Sequence, residues 1–397
     1  KIDRVASDRI SQVQKQIYNL FSDYRYTNYS CYPVCALTAT GVQTLKNALV
    51  QSYKTTKSKN KSGYFRMAID RAFNLKGIGL IVTGMVFSGT ISIADKLILS
   101  STRSSIRVRG IRANNKERKI TEAGDRCALN IVGRHISKNS IKRGDWLMQS
   151  ELHVPSRRID VHLRVLETEN TCLKHWTPTK FYIGSDNISA RVAVLSGGNI
   201  SSGDSGLAQL VLSRDALAVH GDRFVLRDQS SRRTIAGGYV LDPHAPKRGR
   251  ARPHRISMLM AMQGNNTYTI LKSLVEMSMV GLQLNRFLIA HNLSASEANA
   301  LISSLKLRRV GNGLEEYVFC DAKWNVLLNR IMKSISNFHK LKPTLFGPSV
   351  KDVQLTLDPF TETVILNEAL KILVKNKNNI SNYEEKEILD NENVFIE

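Results

Sequence analysis

The densest chemistry in the sequence is cationic. Lys247-Arg248-Gly249-Arg250-Ala251-Arg252-Pro253-His254-Arg255 sits in a chain of 57 Lys and Arg against 34 Asp and Glu, a formal charge of +23. Such an excess draws polyanions by releasing their counterions, nucleic acid first and an acidic membrane surface second. A second set of charges, Asp70-Arg71 and Arg126, lies in strand-like strings. Charges there either pair with one another as a surface salt bridge or meet a charged ligand. The five cysteines (Cys31, Cys35, Cys127, Cys172, Cys320) are scattered, with no CxxC pair and no zinc-ligand spacing. They read as reduced cytosolic thiols, with no metal expected. Neither GxxxxGK(S/T) nor DxxG occurs, so the sequence has no loop to cradle nucleotide phosphates or hold magnesium.

The elements that position these residues follow from pattern. At 397 residues the chain exceeds the ~250–300 that one core supports, so several domains are expected. Ile10, Val13, Ile17 and Leu20 form a helical stripe, the apolar run Tyr32–Leu37 reads as a strand, and Val42, Leu45 and Leu49 mark a second helix. Helix, strand, helix is the tail of a βαβ-type unit. The lysine-rich Lys54–Gly63 reads as a linker. From Tyr64 to about Glu151, and again from Ile159 to about Leu241, short strands and glycine turns predict two small barrels. Ile106-Arg107-Val108-Arg109 alternates strictly, which puts its arginines on the wet face. The strongest apolar run, Gly77–Phe87, falls far short of the ~20 residues of a membrane span.

Beyond the basic run the pattern is helical. Ser294 and Glu297 have capping-box spacing at the head of a helix, and the Gly311-Asn312-Gly313 turn with Tyr317-Val318-Phe319 fits a wing. Helix, turn, helix and wing predicts a winged helix, and the segment after Trp324 repeats its beginning. The second helix of this unit carries few basic residues, which argues against base reading by it.

Several strings resemble a known family. Lys1-Ile2-Asp3 and Cys35-Ala36-Leu37-Thr38 resemble the two guanine-reading loops of translational GTPases, with cysteine where serine or threonine is usual. Phe65 to Phe73, then Lys76-Gly77, Gly79, Ile81-Val82-Thr83-Gly84 and Ser88-Gly89, look like the second domain of elongation-factor GTPases. Ala123-Gly124-Asp125-Arg126-Cys127-Ala128-Leu129-Asn130 with Arg143-Gly144-Asp145-Trp146-Leu147 is similar to the selenocysteine-specific elongation factors in particular. Gly221 to Asp228 with Ala236-Gly237-Gly238 resembles the end of their third domain. The resemblance implies a multidomain chain. Residues 1–53 would be an α/β remnant of a GTP-binding domain and 54–63 a linker. Residues 64–153 and 157–243 would be two barrels like those of elongation factor Tu. A basic linker over 244–256 would lead to α+β winged-helix repeats over 257–322 and 323–397, the second incomplete.

It also implies a role: delivery of selenocysteinyl-tRNA to the ribosome at a recoded UGA codon, GTP-dependent in the full-length factor. Lys1, Asp3, Cys35, Ala36 and Leu37 would be a partial guanine site, and Asp70, Arg71 and Arg126 an aminoacyl pocket. Lys247, Arg248, Arg250, Arg252 and Arg255 would touch RNA. An mRNA hairpin, the selenocysteine insertion element, would be held by the winged-helix end of such a factor. GTP and Mg2+ belong to the full-length family; without the phosphate loops, tight binding and hydrolysis by this chain are not expected. The implied state is a cytoplasmic monomer with no membrane partner. Two departures stand out: Ala94 replaces a turn glycine, predicting a different or strained turn, and Arg112 stands where the family has histidine. A general elongation or initiation GTPase is the nearest alternative, against which the helical extension counts. A non-enzymatic winged-helix nucleic-acid binder is the other, disfavoured by the Ile69-Asp70-Arg71 and Gly221–Asp228 strings.

Overall fold

A computed structural model describes residues 1–23, 29–55, 61–264, 266–344, 347–357 and 361–378. The lysine-rich centre of the expected linker, residues 56–60, and the Asn/Lys/Glu-rich tail beyond residue 378 lie outside the described residues.

The first barrel is built from β1 (Arg66–Leu75), β2 (Gly79–Ser88), β3 (Thr90–Ser92), β4 (Lys96–Leu99), β5 (Ser105–Ala113), β6 (Lys116–Arg118), β7 (Ile120–Glu122), β8 (Arg126–Val132) and β9 (Trp146–Met148). The ladder runs β4-β9-β1-β2-β8-β5, and a β4–β5 pairing closes it into a ring, with β6 added outside and β3–β7 as a small separate ladder. Alternation does the sorting. Ile106 and Val108 are buried while Arg107 and Arg109 are exposed, as the pattern predicts. Met67, Ile69, Val82, Val86, Leu97, Leu99 and Leu129 fill the interior beside them.

The second barrel comprises β10 (Ser156–Val165), β11 (Leu173–Lys174), β12 (Thr177–Ile183), β13 (Asp186–Val194), β14 (Asn199–Ile200), β15 (Ser205–Ala216), β16 (Arg223–Arg227) and β17 (Thr234–Asp242). Six of these close in the order β10-β15-β13-β12-β16-β17. One buried ion pair joins the barrels. Arg66 at the start of β1 donates to both carboxylate oxygens of Asp222, at 2.7 and 2.5 Å, with its guanidinium 5.2 Å from the Trp146 ring and 5.7 Å from Phe87. The Ser185 hydroxyl adds a 2.8 Å bond to the Ile69 carbonyl.

Among the described residues, two helices precede the barrels, α1 (Ser7–Asp23) and α2 (Val42–Thr55), and seven follow: α3 (Pro253–Ala261), α4 (Thr267–Met277), α5 (Leu284–His291), α6 (Ala295–Ser304), α7 (Asp321–Leu341), α8 (Val350–Leu357) and α9 (Thr363–Asn378). Strands β18 (Leu282–Gln283), β19 (Arg308–Val310) and β20 (Tyr317–Phe319) pair in the order β18-β20-β19. Helix, strand, two helices and a two-stranded wing is the order of a winged helix. Its second long helix, α6, opens on the expected capping box of Ser294 and Glu297. Burial works against the Glu297 charge, but hydrogen bonds from Ser62 and Ser294 outweigh it and hold the carboxyl below its usual range.

This helical unit shares a core with the second barrel: Leu195, Leu207 and Leu241 pack with Leu259, Ile270, Leu274 and Phe287. It also grips the first barrel. Asn292, left-handed at φ 51°, accepts from the Tyr64 amide at 2.8 Å and donates to the Tyr64 carbonyl at 3.1 Å and to Ser88 Oγ at 2.8 Å.

The segment before the barrels departs from expectation. Tyr32–Leu37 forms no ladder, and Ala36-Leu37-Thr38 turns. A buried parallel strand needs strands on both sides, and none among the described residues lies beside it. Cys35 is accordingly the one buried apolar side chain of the described residues in 1–55, and Val13 and Leu20 on the α1 stripe remain exposed.

The turn before β4 keeps the geometry that glycine would favour. Ala94 has φ 78° and is pinned there by its amide on the Val108 carbonyl at 2.8 Å. A left-handed residue with a Cβ costs about 1–2 kcal/mol, partly offset because glycine loses more chain entropy. Ala94→Gly should therefore raise stability by about 0.5–1 kcal/mol in denaturant unfolding. A loss of stability would show that the turn carries no strain.

Candidate functional site

On the first barrel, three strands bring the sequence-selected charges together. β1 carries both Asp70 and Arg71 and runs on to Leu75, and its register against β2 slips between Ile69 and Arg71. In a regular strand Asp70 and Arg71 would face opposite sides. The bulge inserts one residue, so Ile69 and Ala72 face the core while Asp70 is half-buried and Arg71 exposed on the outer side. Arg126 opens β8, one strand beyond β2, and its guanidinium pairs with Asp70 Oδ2. The other carboxylate oxygen accepts from Thr83 Oγ1 at 2.6 Å. Asp70 is thus saturated by two neighbours and holds Arg126 by one nitrogen, leaving the remaining donors of a half-exposed guanidinium turned outward. Arg71 has no carboxylate partner among the described residues. The arrangement is a fixed cationic face with one internal counter-charge, suited to a small anion beside a neutral group. Arg112, in the histidine position, lies on β5 opposite Ala128 and reaches only the Asn115 carbonyl, at 3.4 Å.

Sequence reasoning missed Thr83. It sits in the Ile81-Val82-Thr83-Gly84 string, and only the β1–β2 register, Arg71 opposite Thr83, reveals it as the second ligand of Asp70. Next to Arg126, Cys127 faces the other way. Its sulfur lies 3.6 Å from Met67 Sδ, and burial pushes the thiol up to about 11.

In the segment before the barrels, the two expected guanine loops meet. Asp3 lies in a single helical turn, Ile2–Arg4, and a side-chain hydrogen bond with Cys35 holds its carboxyl below the usual range. The Ile2 amide bonds the Val34 carbonyl at 3.3 Å. Cys35 is buried, whereas Lys1, Ala36 and Leu37 are exposed.

The basic run divides. Lys247, Arg248 and Arg252 are exposed, and Arg250 is half-buried with its guanidinium 5.1 Å from the Trp176 ring. No carboxylate occurs between Asp242 and Glu276 to neutralise them. Arg255 departs from the expected RNA contact. It turns inward from α3 and pairs with Asp160 and with Asp242, at 2.6 Å to the latter. Burial pushes the Asp160 carboxyl up against the pull of Arg255. For Asp242 burial acts the same way, but Arg255 and Arg286 prevail and hold it down. Arg255 is a structural tie between α3 and the second barrel.

Comparisons with known proteins accord with this architecture. Residues 157–247 match the β-barrel domain of selenocysteine-specific elongation factors, and residues 79–148 match domain 2 of elongation factor Tu. The chain is 33% identical over 262 residues to the selenocysteine-specific elongation factor of Escherichia coli, covering 66% of this chain and 40% of that one. It is 28% identical over 243 residues to that of Desulfomicrobium baculatum, covering 61% and 38%. A crystal structure of a bacterial selenocysteine-specific elongation factor superposes with a TM-score of 0.73 at 20% identity, over 100% of this chain and 60% of that one, a likeness of fold. The chain spans about 40% of the length of the curated relatives it matches.

The divided basic run separates two kinds of substitution. Alanine at Arg248, Arg250 and Arg252 together should flatten the slope of log K against log salt for RNA by about two to three, at ~0.7–0.9 per phosphate released. An unchanged slope would take the run off the RNA. Arg255→Ala should leave the slope alone and instead lower unfolding stability by about 3–5 kcal/mol, because two buried carboxylates lose their partner. A variant as stable as the parent would refute the tie.

Proposed function

We propose that this chain, homologous over most of its length to the selenocysteine-specific elongation factors, carries the tRNA-holding and RNA-reaching parts of such a factor. In this reading the first barrel holds the aminoacyl end of selenocysteinyl-tRNA, and the second barrel with the basic run lies along RNA. The winged-helix arm points toward the mRNA hairpin at a recoded UGA codon on the ribosome. The work is cytoplasmic, and the factor acts as a monomer. No helix among the described residues is long and apolar enough to cross a membrane. GTP binding and hydrolysis belong, in the whole factor, to phosphate- and magnesium-holding loops that this sequence does not contain. Lys1, Asp3 and the Cys35-Ala36-Leu37 turn are the parts here that would face guanine. An aspartate carboxylate can accept the ring N–H and the exocyclic amine of guanine together, a pair that adenine does not offer.

The observation that carries the proposal is the Asp70–Arg126 pair with Thr83 behind it and Arg71 exposed alongside. A selenol is largely ionised near neutral pH, while a serine hydroxyl is not. The outward donors of Arg126 and Arg71 meet a full charge in the selenolate. With the serylated precursor they are left solvating a neutral group, so the discrimination is electrostatic. Asp70 positions Arg126 without neutralising the whole face, because one carboxylate stands against the two guanidinium charges of Arg126 and Arg71.

In a full-length factor carrying these barrels, Arg126→Ala should weaken selenocysteinyl-tRNA by about ten- to a hundredfold, the worth of one charge-assisted contact. Seryl-tRNA should be nearly unaffected, with both affinities measured by protection of the aminoacyl ester from hydrolysis. Equal losses for the two tRNAs would reduce Arg126 to a support of the barrel. Asp70→Asn should give a smaller selective loss, since it frees Arg126 without removing its charge.

A further inference from the structure

The second barrel carries a feature that the aminoacyl site does not use. Trp176, between β11 and β12, has φ 68°, a conformation that a bulky L-residue adopts only when its surroundings impose it. Its amide is held by the Val192 carbonyl at 2.7 Å, and its carbonyl accepts from Arg191 at 3.5 Å. The strain does not serve burial. Trp146 and Trp324 are 4% and 1% exposed, whereas Trp176 is 41% exposed. The Arg250 guanidinium lies 5.1 Å from its ring centroid and brings the exposed cations of the basic run to the same place.

We propose that Trp176 and Arg250 form a stacking platform for an unpaired nucleotide of an RNA strand, with Lys247, Arg248 and Arg252 holding the phosphates beside it. Aromatic rings flanked by arginine take bases of any identity, because every base offers a π-face, and surrounding cations follow the backbone. The charge surroundings select the ligand class. No Asp or Glu occurs between Glu169 and Asp186, between Asp186 and Asp204, or between Asp242 and Glu276, and Asp186 is held by Arg214 at 2.6 Å. The segments that form the platform offer a cationic peptide or methylated amine no counter-charge of their own, whereas a polyanion with a flat base fits both halves of the platform. Paired RNA keeps its bases inside the helix and would touch only the cations. The inference rests on the reading of this chain as an RNA-binding factor and adds to it the residue that tells a single strand from a duplex.

Because the other two tryptophans are buried and emit further to the blue, the red-shifted part of the intrinsic fluorescence reports on Trp176. Titration at low salt with oligouridylate should quench the exposed, red-shifted emission saturably, and a duplex RNA of matched charge should bind without that quench. Trp176→Ala should weaken oligouridylate by about 5- to 150-fold and leave duplex affinity unchanged, while Trp176→Phe should keep most single-strand affinity. If both RNAs bind with the same quench, or Trp176→Ala leaves single-strand affinity intact, the platform is refuted and the wider RNA reading survives. If neither RNA binds even at low salt, both fall together. The Trp176→Phe variant and the parent fluorescence keep the test decisive should Trp176→Ala fold poorly.

Discussion

The interaction on which the rest depends is the Arg66–Asp222 pair between the barrels. Both side chains are almost wholly buried, so neither charge can recover water without separating the barrels, and each is tolerable only with the other in place. Asp222 also receives the Val219 amide at 3.0 Å, which fixes the loop that presents it, and the Arg66 guanidinium lies against Trp146 and Phe87. Any change in the angle between the barrels would expose or orphan a buried charge, so the two barrels hold one relative position. Arg66 is also the first residue of β1, the strand that carries the Asp70 bulge. The same pair that docks the barrels therefore anchors the strand that carries Asp70 and Arg71.

That site is assembled by departures from regular structure. A β-bulge turns two consecutive residues to one side, and a carboxylate shared between Thr83 and Arg126 locks the result across three strands. Arg126 is held before any ligand arrives, which saves the ordering entropy that a long arginine otherwise loses on binding. The second barrel shows the same economy at Trp176, where a main-chain bond to Val192 keeps a large ring outside the core.

Much of this was legible in the sequence because it is written in local pattern. Alternation placed Arg107 and Arg109 outward, Ser294 and Glu297 announced their helix start, and Ala94 in a glycine position signalled strain that the φ angle bears out. What stayed hidden depends on partners distant in sequence. Arg255 looks like every other cation in its run, and its pairing with Asp160, 95 residues away, together with Asp242, sets it apart. The bulge at Asp70 is marked by no glycine or proline, so its effect on Arg71 follows from the β2 register alone. Tyr32–Leu37 has the composition of a strand, but composition cannot supply the neighbours that a ladder requires. Trp176 drew no attention because an isolated tryptophan is usually core, and its exposure is a tertiary fact.

The alternation that turns Arg126 outward also turns Cys127 inward, and this bears on redox chemistry. A cysteine reacts, as a nucleophile or toward an oxidant, only as an accessible thiolate. With its thiol facing Met67 and its ionisation pushed to about 11, Cys127 stays protonated and out of reach one residue from the arginine. A one-residue slip of β8 would bring that sulfur to the cationic face, where Arg71 would promote the thiolate. Strand register at this position therefore decides whether the outer face of the barrel is chemically inert or carries a reactive thiol.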